Sequence, residues 1–317
     1  MTRQKTISVA VCIATYRRPE KLKTLLESLE KMRLPEAAPV EIVFIVVDND
    51  RDGSAAGVVK GFSSRLPGEV KYAVEPRQGI TYARNRGIAM ANAAEWVALV
   101  DDDETVAPDW LANLLWAADF YRAEVVQGPV VPQYQGELPD WIEPGHYLIG
   151  KAAYEGELLN EARSGNILLK NSLLQQIPGP LDERLNRSGG GDTLLTRQLK
   201  QRGAKIIHTN RAVVEEERPA ERLTLKWMFK RNYRIGNTNA LIRRYLEGGI
   251  AWRFYFLLLG CGRMVQALLL ILGGAAGKKA GLYRGVLAAG LGLGNWAAIL
   301  EKTYEEYTPD RMAHDSD

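Results

Sequence analysis

Two cysteines and three histidines in 317 residues leave little material for a disulfide framework or a zinc site. Cys12 and Cys261 lie far apart, each in an apolar run, so we read both as reduced, buried thiols in a cytosolic compartment. No Cys/His spacing of the metal-binding type occurs. An excess of charge is also lacking: the formal net charge is +3, which does not call for a nucleic-acid partner, and none is expected. Absent too are a P-loop, since the Gly189-Gly-Gly run is not followed by Lys-Ser/Thr, and a Gly-x-Gly-x-x-Gly turn after the first apolar segment. The opening Met1-to-Ala14 stretch has a basic flank and a short apolar run, but it continues into Thr15-Tyr-Arg-Arg-Pro19 without a small-residue cleavage site. We read a first strand there rather than a signal peptide.

What is present is ordinary globular material, 46% hydrophobic and 25% charged, long enough for about two domains, or one domain with an appendage. Pro19 can open a helix, and Leu22, Leu25, Leu26, Leu29 and Met32 recur at helical spacing. Val40 to Val47 reads as a strand, so the chain begins strand, helix, strand, with the two strands parallel. A shorter strand from Val70 to Val74, a helix from Ile80 through Ala94 and a buried strand from Trp96 to Val100 follow. A helix from Pro108 to Asp119, one strand over Glu124 to Val131, an irregular loop over 132–160, a strand over Ser164 to Leu169 and a helix opening at Ser188-Gly-Gly-Gly-Asp-Thr193 complete this half. The expected fold is α/β, a mostly parallel sheet flanked by helices.

Two strands end in acid: Ile45-Val-Val-Asp-Asn-Asp-Arg-Asp-Gly-Ser54 and Val100-Asp-Asp-Asp-Glu104. The first imitates half a calcium loop, but its twelfth position is Val59, not the bidentate Glu that such a loop needs, and a strand precedes it. Open parallel sheets bind ligands at the carboxyl ends of their strands, so the two clusters are expected to line one crevice.

The order of these motifs resembles the family 2 glycosyltransferases, inverting enzymes of the GT-A fold. Val9-Ala-Val-Cys-Ile-Ala-Thr-Tyr-Arg-Arg18, Val47-Asp-Asn-Asp-Arg-Asp-Gly-Ser54, Gln78-Gly-Ile-Thr-Tyr-Ala-Arg-Asn-Arg-Gly87, Val100-Asp-Asp-Asp-Glu104 and Gly189-Gly-Gly-Asp-Thr193 fall in that family's sequence of segments. The resemblance implies a nucleotide-diphosphate sugar donor, a UDP-hexose, contacted by Thr15, Tyr16, Arg18, Asp48, Arg84, Asn85, Asp101 and Asp102. It implies Mn²⁺ or Mg²⁺ on Asp103, with Glu216 nearest to the position where relatives place a metal-binding His. Asp192 takes the part of catalytic base, in single displacement with inversion, although the Glu that precedes this Asp in the family is Gly191 here. A helix N-cap is the plain alternative for Asp192, and a pair capping nearby carbonyls is the alternative for Arg84 and Asn85. A nucleotidyltransferase and a silent nucleotide-sugar-binding scaffold are the rival functions.

The domain division expected is 1–217, catalytic, and 218–317, basic then apolar, most like exopolysaccharide-building members of the succinoglycan type. Arg218, Arg222, Lys226, Lys230 and Arg234 recur every fourth residue, as a basic stripe on one helix would. Arg231 and Arg234 are the candidates for a diphosphate or an acceptor. Phe254 to Gly274 is long enough to span a bilayer, yet Arg263 stands near its centre, and a second apolar run, Leu282 to Leu300, is interrupted by glycines. Helices lying in the cytosolic leaflet of a bacterial inner membrane reconcile these features, with a lipid-linked saccharide as acceptor. An interface between copies of the chain is the alternative use of this tail.

Overall fold

The computed structural model describes residues 6–35, 38–135, 138–139, 153–275 and 279–306. β1 (Ile7–Thr15), α1 (Pro19–Glu30), β2 (Val40–Asp48), α2 (Ala56–Phe62), β3 (Glu69–Val74), α3 (Ile80–Met90) and β4 (Trp96–Asp101) form the nucleotide-type half expected from sequence. β1 lies between β2 and β4 and is parallel to both. Along β1 the side chains alternate. Val9, Val11 and Ile13 join a core with the α1 leucines, while Ala10 and Cys12 join a second core on the opposite face. Burial on both faces is why these strands read as unbroken apolar runs rather than alternating ones.

After β5 (Glu104–Val106) and α4 (Trp110–Phe120), the single strand expected over Glu124 to Val131 is two: β6 (Val125–Gln127) and β7 (Val130–Tyr134). Gly128 and Pro129 break it. A side chain at Gly128 would collide with Asn166 Nδ2 and the Ala212 carbonyl, and Pro129 has no N–H for a ladder. Asn166 is fully buried and closes this corner. It donates to the Pro129 and Ala212 carbonyls at 2.9 and 2.7 Å and accepts from Trp110 Nε1 at 2.8 Å. An apolar residue there would strand three buried polar groups, at about 1–3 kcal/mol each.

The main sheet runs β3-β2-β1-β4-β8-β6-β9, with β8 (Asn166–Lys170) antiparallel to β4 and to β6. β8 leads into the short α5 (Asn171–Leu174), then α6 (Gly191–Gln201) and β9 (Ile206–His208). A second sheet, β5-β10-β7, uses β10 (Val214–Arg218). α3 ends at Met90, with a turn rather than helix up to Ala94. Of the loop expected over 132–160, the first residues belong to β7, and 140–152 lie outside the described residues.

The basic stripe does not form one helical face: Arg218 ends a strand, Arg222 is in a 3-10 turn, and α7 (Leu225–Glu247) starts only after Thr224. The Thr224 hydroxyl accepts from Trp227 N at 3.2 Å, an N-cap that sets this start. α8 (Ala251–Ala275) and α9 (Lys279–Ile299) follow. Glycines on α9 allow close approach, since a side chain at Gly294 would strike the Tyr233 carbonyl of α7 and one at Gly285 the Ala267 carbonyl of α8. Leu185 and Leu194 of the first region share a hydrophobic cluster with Leu241, Trp252, Phe256 and Ala298, so the two regions are joined by packing as well as by chain. Cys12 is buried as expected; Cys261, on α8, is exposed.

Candidate active site

The carboxyl ends of β1, β2 and β4 form the floor of a crevice. Thr15 Oγ1, at the end of β1, donates to Asp102 Oδ2 at 2.8 Å and ties the two strand ends together. Arg18 reaches both Asp102 and Asp103 at 3.5 Å. Arg84, from α3, donates to Asp101. Tyr16 accepts at its hydroxyl from Gln78 Nε2 at 2.7 Å, across the mouth of the crevice.

Asp101 and Asp103 are half-buried and alternate with Asp102 and Glu104, which are buried. Glu104 Oε2 accepts from Asp101 N at 2.8 Å, and a side chain at Gly165 would collide with its other oxygen. Burial, then the neighbouring Asp101, pushes Glu104 well above the ordinary carboxylate range. Asp102 is pushed up to about 7, by burial first and then by Asp103. Acid is crowded here beyond what Arg18 and Arg84 neutralise. Among the described residues no group of three or more His, Cys, Asp or Glu is placed to hold a metal. The hard carboxylate oxygens of Asp101 and Asp103 nonetheless suit Mg²⁺ or Mn²⁺, which commonly take one or two carboxylates and complete their shells with phosphate and water.

Three expectations require correction. Asp48 does not face a nucleotide: it is fully buried, and its carboxylate accepts from Asp50 N at 2.9 Å, Ala55 N at 2.7 Å and Tyr72 Oη at 2.9 Å. It builds the turn after β2, while Asp50 faces Arg17 at 3.2 Å. Asn85 holds Leu181 instead, donating to its carbonyl at 2.8 Å and accepting from its N–H at 2.9 Å; the carbonyl-capping alternative describes it. Glu216 is not open to a metal, because Arg218 donates to its Oε2 at 2.9 and 3.1 Å and Arg222 to its Oε1 at 3.2 Å.

Asp192 lies in the first turn of α6. The capping position is Gly190, in the left-handed region at φ 90°, where a side chain would strike Thr238 of α7. Asp192 is therefore not the N-cap residue. Its Oδ2 accepts from Ser164 N at 3.0 Å and Ser164 Oγ at 3.1 Å, and its Oδ1 from Thr193 N at 2.7 Å with a long 3.5 Å contact from the Thr193 hydroxyl. Ser164 immediately precedes Gly165, which borders Asp101 and Glu104, so Asp192 and the acidic β4 end meet on one short segment. Ser164 was not singled out by sequence, where no pattern links it to a carboxylate 28 residues on.

Two asparagines were also missed. Asn49 donates to the Glu75 and Arg77 carbonyls at 2.9 and 2.8 Å and accepts from Gly79 N at 2.6 Å. Asn186 accepts from Thr81 N at 3.1 Å and donates to the Gln78 carbonyl at 3.1 Å. Together they hold the Gly79 turn, at φ 137°, under the crevice.

Beside Glu216, Arg231 is pulled down to about 10 by burial and by Arg218, Arg234 and Arg163. Arg234 pairs with Glu306 at 2.8 Å.

A parallel four-strand floor, an acidic turn at its carboxyl edge and a carboxylate on an adjoining helix start define the nucleotide-sugar transferase architecture known as GT-A. Comparison with known proteins agrees: residues 10–178 match the glycosyl transferase family 2 domain. The chain is 31% identical over 289 residues to the succinoglycan biosynthesis protein ExoM of Rhizobium meliloti, covering 90% of this chain and 92% of that one. It is 26% identical over 242 residues to a glucosyl-dolichyl phosphate glucuronosyltransferase of Haloferax volcanii, covering 72% and 74%. Among solved structures, the mannosyltransferase PcManGT from Pyrobaculum calidifontis, in complex with GDP-Man and Mn²⁺, superposes with a TM-score of 0.62 at 19% identity, over 93% of this chain and 87% of that one. The chain belongs to the family 2 glycosyltransferases and is a glycosyltransferase of GT-A fold.

Proposed function

We propose that this enzyme moves a hexose from a UDP-linked donor to a hydroxyl of a lipid-linked saccharide in surface polysaccharide assembly, with inversion, at the cytosolic leaflet of a bacterial inner membrane. The observation that carries the proposal is Asp192, a carboxylate oriented by Ser164 and set beside the acidic end of β4. Two hydrogen bonds from Ser164 fix one carboxylate oxygen, and the 3.5 Å Thr193 contact on the other is weak enough to give way to an acceptor hydroxyl. That hydroxyl oxygen attacks the anomeric carbon while Asp192 takes its proton. The bond from the anomeric carbon to the diphosphate oxygen breaks on the opposite face, and the nucleoside diphosphate leaves. Single displacement of this kind inverts the centre. Thr15, Tyr16 and Arg18 line the donor side, Arg84 orients Asp101, and Asn49, Asn85 and Asn186 position the loops beneath it. Asp101 and Asp103 would hold a divalent cation, which supplies charge neutralisation to the departing diphosphate.

The ExoM-like relative supports the polysaccharide setting, and the dolichyl-phosphate relative supports a lipid-linked acceptor. α8 supports membrane docking. Its segment Ala251–Gly274 is long and apolar enough to cross a bilayer, has mean hydropathy 2.0 over its most apolar window, and exposes Leu258, Val265, Leu268, Leu269 and Leu272. Half-buried Arg263, bonded to Gln266 at 3.0 Å, favours a helix lying in the leaflet with its cation reaching the headgroups.

The test is acceptor-dependent UDP release by the full chain with Mn²⁺ and a lipid extract. Asp192→Asn should lower turnover about 10²-fold or more, the scale of general-base loss, with UDP affinity unchanged. Turnover within a few-fold of wild type removes Asp192 from the chemistry, and release that ignores the lipid extract removes the acceptor assignment.

A further inference from the structure

Asn237 is fully buried within α7, where an apolar residue is the ordinary choice, and both ends of its amide serve the chain that leaves α9. Its Nδ2 donates to the Lys302 carbonyl at 2.8 Å, with a longer 3.4 Å contact to the Gly294 carbonyl, and its Oδ1 accepts from Tyr304 N at 3.0 Å. α7 and α9 touch at this level, because a side chain at Gly236 would strike the Leu291 carbonyl. The chain reaches Asn237 through a left-handed residue that is not glycine. Glu301, at φ 60°, closes α9: Lys302 N donates to the Ala297 carbonyl and Glu301 N to the Ala298 carbonyl. That conformation is unfavourable for a residue with a side chain, and Arg253 holds it through the Glu301 carboxylate at 2.7 Å. The reversal is therefore imposed by its surroundings, and it turns residues 302–306 back onto the first region.

What they reach is the loop before α6. Glu306 N donates to the Arg187 carbonyl at 2.8 Å, the Glu305 carboxylate meets Arg187 Nη1 at 3.3 Å, and the Glu306 carboxylate meets Arg234 at 2.8 Å. Between Arg187 and Asp192 stand Ser188 and three glycines, of which Gly189 and Gly190 are left-handed at φ 77° and 90°. Such a run has little conformational preference of its own, so its path is set from outside. α7 supplies Thr238, next to Asn237, against Gly190, and the 302–306 segment holds the start of the loop at Arg187. Asp192 follows directly in the first turn of α6 and has to face Ser164 N at 3.0 Å, an orientation that a loose loop does not keep.

We propose that residues 302–306 are a strap that positions the loop carrying Asp192 for turnover, and that Asn237 is the positioning residue that anchors it. This rests on Asp192 as the base of the proposed function. The strap's contacts named above run to α7 and to the loop before α6, so it acts on the base rather than on the donor.

The experiment combines hydrogen exchange with a double-mutant cycle on the full chain. Asn237→Leu nearly keeps the side-chain volume and removes the anchor; of the groups it releases, Lys302 is exposed and Tyr304 half-buried, so water can replace the lost bonds. In this variant the amides of Gly189 and Leu194, bonded to the Leu185 and Gly190 carbonyls, should exchange about tenfold faster or more, with those of β1 and β4 unchanged. In the assay of UDP release with Mn²⁺ and lipid extract, kcat should fall about tenfold or more, the scale of a misplaced reacting group, while affinity for UDP plus Mn²⁺ stays within about twofold. Introduced into Asp192→Asn, the same change should alter the residual rate by less than about twofold, since a strap that works through Asp192 has nothing left to position. Glu306→Pro removes the N–H given to Arg187 and lies outside the helices, so it should reproduce the pattern even where Asn237→Leu does not fold. Equal losses in the two backgrounds would make the strap a brace of the fold and overturn the proposal. So would unchanged exchange at Gly189 and Leu194, or a matching loss of UDP affinity. Wild-type turnover in Asp192→Asn, with exchange of the loop still dependent on Asn237, would instead remove the base while leaving the strap's hold on the loop, so the two failures read differently.

Discussion

Replacing Asp48 by Asn separates a nucleotide contact from a turn-building carboxylate. The side chain is fully buried, with Asp50 N on one oxygen and both Ala55 N and Tyr72 Oη on the other. Asn offers one oxygen only. If that oxygen keeps Asp50 N, the new amide N–H₂ confronts Ala55 N–H, which cannot turn away, and Tyr72 Oη, which can rotate to accept. If the amide is reversed, the confrontation moves to Asp50 N. Either way one backbone donor is left unpaired in the interior and the charge assistance on all three bonds is gone. At about 1.5–3 kcal/mol for a bond to a charged group, the loss should be roughly 2–4 kcal/mol, a fall in Tm of about 3–6 °C for a chain of 317 residues. Tyr72→Phe, which removes one of the three bonds, should cost about 1 kcal/mol. Denaturant unfolding of the two variants supplies the stability values, and titration with UDP and Mn²⁺ well below their melting temperatures supplies affinity, which should remain within about threefold of wild type. An Asp48→Asn protein of undiminished stability that binds UDP tenfold more weakly would refute this account and return Asp48 to the nucleotide.

Asp103→Ala should abolish the Mn²⁺-dependent thermal stabilisation by UDP, because the cation would bridge protein and diphosphate; Asp50→Ala should lower stability yet keep that response, and the same loss in both would move the cation to the β2 turn. Burial pushes the Cys12 thiol up to about 12 from 9.0. With the folded value raised, its stabilising contribution is complete below pH 9 and is lost as pH rises towards 12, by roughly 4 kcal/mol at most. Subtracting the alkaline unfolding profile of Cys12→Ala from that of wild type isolates this contribution, and parallel profiles would show that the thiol is not desolvated. Exposed Cys261 on α8 should react with a maleimide within minutes in solution and at least tenfold more slowly on anionic liposomes, if α8 lies in the leaflet; an unchanged rate with bound protein would place another surface on the membrane.

The alternation of elements up to β4 was legible because apolar period and turn residues are local properties, and the crossover rule converts them into parallel strands. Family motifs, which also lie within short windows, carried the acidic β4 end and Asp192 to their places. Glu124 to Val131 was misread since a run of β-branched residues looks the same whether it serves one sheet or two; the break depends on Asn166, 38 residues downstream of Gly128, reaching back to the Pro129 carbonyl.

By itself, then, the sequence determined which strands carry acids at their carboxyl ends, that the chain is a family 2 transferase, and that its last third is basic and apolar. Only the tertiary structure decided which acids face the crevice. Asp48 and Asp50 are two residues apart and chemically alike, yet one is enclosed by Ala55 N and by Tyr72 from the neighbouring strand, while the other meets Arg17. Glu216 is an acid at the expected place, but Arg218 and Arg222 neutralise it, because β10 ends and a turn folds Arg222 back over it. Asp192 acquires its orientation from Ser164 across 28 residues. A carboxylate's role follows from the donors and charges that surround it in space, and those arrive from segments whose separation along the chain carries no pattern.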